Sequence, residues 1–257
     1  MNAGAGGNQA PKKPEEWEIK AEFFKISHSN VDSLEIEVTR EKKGQPPNEE
    51  SYRRINVTRK INGVSDEIYY TQSKTNGFGI NDRKQLYPTG KVFDAFINEF
   101  FGYLNLNKNQ HIKLLKLVAP EREDFQPFLK NFMDRAEACK ISTTVLEVKS
   151  GITTEEFWAL LEAVKCVRCE KLQITFDGLV PTKKEEKRTL DMIEERLDDS
   201  VRTCTIISNE AIPPNLINMA NNRKSEKFIV KTTGKTLEFT KILSQPSSSS
   251  AGTSSRN

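Results

Sequence analysis

The 257-residue chain is poor in the side chains that carry out chemistry. It has two histidines, four cysteines and two tryptophans. General acid–base catalysis therefore has few candidate groups. Neither His28, between Ser27 and Ser29, nor His111 belongs to a recognisable catalytic motif, and each reads as a surface or turn residue. Cys166-Val167-Arg168-Cys169 is a CxxC pair, but a structural zinc site needs four ligands. No second pair follows, and Cys139 and Cys204 stand alone. The pair is expected at a helix end, as small core residues in a turn. A redox motif would instead sit between a strand and a helix start. No glycine-rich phosphate loop is present, because Gly4, Gly6 and Gly7 fall in the N-terminal tail. The expectation is a protein without enzymatic activity, cofactor or metal.

Long apolar runs are also missing. None reaches the roughly 18 residues that span a bilayer, and no signal-peptide core is seen. An intracellular protein, cytoplasmic or nuclear, with reduced thiols is expected. The sequon Asn56-Val57-Thr58 then has no consequence, since glycosylation requires secretion. No long basic block exists. The 39 basic and 36 acidic residues are interspersed, for a net charge of +3. A nucleic-acid binder gathers its basic residues on one face, so no nucleic-acid partner is expected. Residues 182–188 (TKKEEKR) mix both signs and read as a solvated helix start. Asp124, Glu155, Glu156, Glu194 and Glu195 are placed on helix surfaces, solvated or paired along the helix.

What is present has clear order. Residues 1–16 and 244–257 are small, polar or charged apart from Met1, and their composition predicts disordered tails. Residues 17–90 read as β. Leu34, Ile36 and Val38 alternate with glutamates, which is the period of a half-buried strand. Tyr52, Ile55 and Val57 begin a second strand, and Asn62-Gly63 is a hairpin turn signal. Ile68, Tyr69 and Tyr70 make a third strand, and Asn76-Gly77 returns the chain through Phe78 and Ile80. A short antiparallel meander accounts for this layout.

Residues 91–243 alternate helices with strands and are expected to form one continuous domain with 17–90. Val92, Phe93, Phe96, Ile97, Phe100 and Leu104 lie on one helical stripe. Strands are then expected at Leu114–Leu117, Val145–Val148, Leu172–Phe176 and Cys204–Ile207. Helices follow at Glu123–Cys139, after Thr153-Thr154, at Thr182–Asp198 and after Pro213-Pro214. Phe157 and Trp158 share one helix start, and one of them is expected in the core and the other exposed. Phe228–Val230 and Leu237–Phe239 close the chain as a hairpin around Gly234. Strand centres recur every roughly 24–31 residues, near the upper end of leucine-rich repeats. The fold class is α/β: a meander followed by degenerate leucine-rich-repeat-like strand–helix units. An ordinary α/β domain with a parallel sheet and crossover helices is the other reading. Strand alternation turns Lys116, Glu147, Lys149, Gln173, Thr175 and Thr205 away from the core. These six are the candidate binding residues; a solvated sheet face would show the same pattern.

The run YRRINVTRKING, then EIYYTQSKTNGFGI, KVFDAFINEFFGYLNL, KLLKLV and repeated strand–helix units resembles the FTH domain. This is the F-box-associated domain of the large nematode family of F-box proteins. The similarity covers about residues 50–208, and Tyr69-Tyr70 before Asn76-Gly77 is its most suggestive piece. In that family the F-box binds the Skp1 adaptor of a ubiquitin ligase, and the FTH domain holds the target. Residues 1–50 lack the F-box opening and its paired helical stripes, so Skp1 binding is not carried over. The resemblance implies a target-binding module for a protein partner, in a setting of ubiquitin-ligase substrate recognition. A stand-alone scaffold or decoy without ligase contact is the alternative.

Overall fold

The computed structural model describes residues 31–43, 50–73, 77–80, 96–98, 100–102, 111–152, 154–177, 183–198, 201–223 and 228–242. The expected tails, His28 and the Asn76 turn position lie outside these residues. Four strands come first: β1 (Val31–Lys43), β2 (Glu50–Ile61), β3 (Val64–Ser73) and β4 (Gly77–Ile80). They form the antiparallel meander that the period-two pattern predicts. Asn62 and Gly63 turn the β2–β3 hairpin with φ of 51° and 82°. Only residues that tolerate positive φ fit there.

The alternating section then runs β5 (His111–Ala119), α1 (Asn131–Cys139), β6 (Ser142–Ser150), α2 (Thr154–Ala163), β7 (Arg168–Phe176), α3 (Lys183–Asp198), β8 (Thr203–Ser208) and α4 (Pro214–Asn222). β9 (Phe228–Thr233) and β10 (Thr236–Lys241) close the chain as a hairpin. All ten strands form one sheet in the order β4-β3-β2-β1-β5-β6-β7-β8-β10-β9. β1 and β5 through β8 are parallel neighbours. The fold is therefore mixed α/β.

α1 is preceded by a 3-10 turn, Arg122–Asp124, and a wide helical segment, Phe125–Lys130. Pro127 lies inside that segment, and its missing N–H removes one bond of the regular helical ladder. Residues 96–98 and 100–102 are helical, where the Phe96 stripe predicts a helix. Trp158 is half-buried in α2, its indole Nε1 donating to Thr189 Oγ1 at 3.0 Å, while Phe157 is fully buried. Among the described residues, no helix is long and apolar enough to cross a membrane.

Each crossover from β5 to β8 joins a strand to its next neighbour in the same direction. Right-handed connections then put every crossover helix on the same face of the sheet. Burial agrees. Ile68, Val57, Ile36, Leu117, Val148, Ile174, Ile206 and Leu237 form one cross-strand row, and all are buried. A parallel row runs Leu34, Leu115, Leu146, Leu172, Cys204, Phe239 and Val230. The helices pack on these rows: Phe157 of α2 lies 4.9 Å from Phe176 of β7, centroid to centroid. Over the meander, Phe96 meets Tyr70 at 5.2 Å and continues into Phe100, Phe128 and Phe132. Each such side chain contributes about 1.5–3 kcal/mol on leaving water.

Two polar details hold the layers. Arg196 of α3 is buried, and its Nη2 donates to the Val164 and Val167 carbonyls at 2.9 and 3.0 Å, closing the end of α2. Gly151 follows β6 where a Cβ would stand 1.9 Å from the Pro120 carbonyl oxygen, so no other residue fits unshifted. The turn is pinned by the Gly151 N–H donating to Ala119 O.

Leu146 and Glu147 test the register directly. Leu146→Ala should lower unfolding free energy by about 2–5 kcal/mol, and Glu147→Lys should change it by less than about 0.5 kcal/mol. Urea titration of the two variants measures both. The reverse ranking would mean that β6 is turned over.

Candidate interaction face

The opposite face of the sheet is built from the residues that alternate with the buried rows. Among the described residues it carries no helix. Its central row, read across the strands, is Glu67, Thr58, Glu35, Lys116, Glu147, Gln173, Thr205, Glu238 and Lys231. The next row is Tyr69, Asn56, Glu37, Val118, Lys149, Thr175, Ile207, Thr236 and Thr233. All six expected binding residues thus share one face. Lys116, Glu147, Gln173 and Thr205 are consecutive in one row, and Lys149 and Thr175 are neighbours in the other. Lys149 is exposed and the other five are half-buried. Val118 is buried yet stands outside the core cluster, between Glu37 and Lys149.

The face divides by charge. Its β1–β6 half holds Glu35, Glu37, Lys116, Glu147 and Lys149. Lys116 is paired with Glu35, and Lys113 with Asp32 at 2.7 Å. Glu147 and Lys149 carry no ion pair among the described residues. The other half carries Lys171, and Glu238 paired with Lys231 at 3.5 Å, but between them its positions are uncharged: Gln173, Thr175, Thr203, Thr205, Ile207, Thr236, Thr240 and Ile229. A central patch without charge beside charged positions matches the make-up of protein interfaces, whose cores are depleted of charge.

The other candidate groups lie elsewhere. His111 is exposed at the start of β5, with its ring nitrogens 3.2 and 3.0 Å from Ser142 Oγ and Thr144 Oγ1. Cys169 is buried in β7, and burial pushes its thiol up to about 11; burial likewise pushes Cys204 up to about 12. Cys166 sits in the turn before β7, 3.7 Å from a Glu137 carboxylate oxygen. Partial burial, and then that negative charge, raise its thiol too. All three surroundings oppose the thiolate, which is the nucleophilic and metal-binding form. The described residues contain no group of three or more His, Cys, Asp or Glu arranged to hold a metal.

Two surface assignments need correction. Asp124 is fully buried, not solvated on a helix. It closes the 3-10 turn after β5, where Arg53 of β2 reaches it: Arg53 Nε donates to Asp124 Oδ1 at 2.7 Å. Its Oδ2 is buried without a hydrogen-bond partner. Beside it, Arg40 Nη2 donates to Glu123 Oε2 at 2.6 Å. This cluster ties the start of the α1 segment to β1 and β2. Glu186 is also buried, although residues 182–188 read as a solvated helix start. Both cases have one reason: a charged helix position becomes core when a neighbouring element covers it. Glu156, Glu194 and Glu195 pair instead with Arg122, Arg223 and Lys165, on other elements.

Comparison with protein-family models, with curated proteins and with solved structures gives no match to this chain.

Burial outweighs the pull of Arg53 and raises the Asp124 carboxyl above its ordinary value. The folded state therefore holds this proton more tightly than the unfolded chain. Stability from this group is fully present below the ordinary aspartate value of about 4 and is lost as pH rises through the raised one. Relative to Asp124→Asn, the wild type should lose stability with rising pH across that window, measured by urea unfolding at stepped pH. A relative gain would show that the Arg53 pair dominates. Iodoacetamide at neutral pH should modify Cys166 alone in the native protein, and slowly, with all four thiols reacting after denaturation. Fast labelling of Cys169 would contradict the burial assigned to it.

Proposed function

We propose that this chain is an intracellular protein-recognition module, with no catalytic role, that binds its partner on the helix-free face of the sheet. The observation that carries this reading is the row Lys116, Glu147, Gln173 and Thr205, with Lys149 and Thr175 beside it. Six outward side chains from four consecutive parallel strands lie together on a face that carries no helix among the described residues. Strands in sequential order with a helix between each pair, and the described crossover helices on one side, support an irregular leucine-rich-repeat-like arc. In such arcs the strand face is the binding surface. The resemblance to the FTH domain supports the target-holding role of F-box proteins, in ubiquitin-ligase substrate recognition. A second reading is a stand-alone scaffold or decoy without ligase contact. Neither reading calls on a nucleic acid, a membrane or a cofactor.

The test uses the full chain as bait in a cell extract, beside a Glu147→Lys, Lys149→Glu variant of equal stability. Partners that bind the wild type should be lost by the variant. A variant that keeps every partner would mean the face is merely solvated. Gel filtration with purified Skp1 separates the two readings: separate elution is expected here, and co-elution would restore the ligase contact.

A further inference from the structure

The sheet ends in two very different strands. β4 is four residues long and contains Gly77 and Gly79. β9 has six residues, no proline and no glycine, and its register with β10 runs without a bulge from Thr233 to Phe228. Among the described residues β10 is its one strand partner. Its free side therefore presents a straight row of backbone donors and acceptors. Edge strands are normally blunted by short length, lysine or other charges, proline or bulges. β9 has no proline, bulge or inward charge, and its one lysine, Lys231, is paired with Glu238 of β10 at 3.5 Å.

The same corner gathers exposed apolar groups. Three large hydrophobic residues are exposed among the described residues: Val64, Ile229 and Ile242, at 65%, 51% and 42%. Val64 stands alone beside the β2–β3 turn. Ile229 lies on the helix-free face of β9, opposite Thr240. Ile242 follows β10 directly, two residues beyond Thr240, and so lies diagonal to Ile229.

We infer that β9 pairs antiparallel with β9 of a second copy of this chain, about a two-fold axis at Val230, joining two ten-stranded sheets. A two-fold contact uses the same patch on both copies, so the strand must be self-complementary. Centred on Val230, this one is. Val230 meets its own copy on the helix-covered side, and Phe228 meets Thr232. On the helix-free side Ile229 of each copy lies opposite Lys231 of the other, and no like charges face each other. A two-fold axis at Lys231 would instead set that lysine against its own copy, which disfavours that register. A single pair of edges is a small contact, below about 1,200 Å² of buried surface, so the dimer is weak and concentration-dependent.

Sedimentation velocity on the full chain, from about 1 to about 200 µM, reads this equilibrium. The wild type should move from 29.2 kDa toward twice that mass. Ile229→Lys sets like charges opposite each other at two symmetric positions and should remain monomeric. Ile229→Glu faces the same lysine with opposite charge and should keep the dimer. Ile229→Lys combined with Lys231→Glu should restore it. Ile229 is exposed, so both single variants should retain the wild-type circular dichroism melt; the double variant also loses the Lys231–Glu238 pair, and its melt should fall only slightly. A wild type that stays monomeric throughout overturns the inference, as it would if the edge received a peptide strand instead. A dimer that survives Ile229→Lys overturns its location. Loss of the dimer in both the Lys and Glu variants overturns the register and leaves a plain apolar contact.

Discussion

The parallel pairing of β1 with β5 is the joint on which the molecule depends. Leu34 lies beside Leu115 and Ile36 beside Leu117, each buried. Without this pairing the meander would be a four-stranded ribbon with one wet apolar face. The β/α section would also expose the edge of β5. With it, buried rows run unbroken from Ile68 on β3 to Leu237 on β10. A slip of one residue at this joint would turn Glu35 and Glu37 into the core, which no rearrangement of the helices could accommodate. The register is pinned a second time at the far end of the strands. There Arg40 and Arg53 reach over the joint to Glu123 and Asp124.

From this joint follows the asymmetry of the sheet. Every crossover returns to the next strand on the same side, so one face takes all the described crossover helices. The other must then tolerate water, and it does so largely with threonine, glutamine and charge, with few apolar residues, Val118, Ile207 and Ile229 among them. Glu35 and Lys116 answer each other across the joint, as Asp32 and Lys113 do nearer the strand starts. Glu147 and Lys149, one strand further on, are left to solvent or to a partner. The uncharged stretch beyond them, through Thr175 and Thr205 to Ile229, is the least costly part of the face to desolvate.

Much of this architecture was legible in the residues, for a local reason. Leu34-Glu35-Ile36-Glu37-Val38, Leu146-Glu147-Val148-Lys149 and Leu172-Gln173-Ile174-Thr175 alternate cleanly. Alternation alone sets which side each residue takes. The outward row across β5 to β8 could be read this way because parallel neighbours of equal pattern align. Other features were not legible, because they depend on which elements meet. Nothing near Leu34 announces that its parallel neighbour is Leu115, some eighty residues on by rough count. Asp124 and Glu186 look like solvated helix positions until a neighbouring element covers them. Arg196 looks like an ordinary helix-surface arginine until Val164 and Val167 present their carbonyls to it. Cys169, expected in a turn, is instead an inward position of β7, because that strand begins at Arg168.

Native-state hydrogen exchange across the β1–β5 joint tests the account most directly. One continuous sheet predicts that the amides of Leu34 and Ile36 exchange only through the same global opening as those of Leu115, Leu117, Leu146 and Ile174. Their protection should then fall together as denaturant is added. If the β1 amides instead open at distinctly lower free energy than those of β6 and β7, the meander is a separate unit. The single helix-free face that spans the joint would then not exist as one surface.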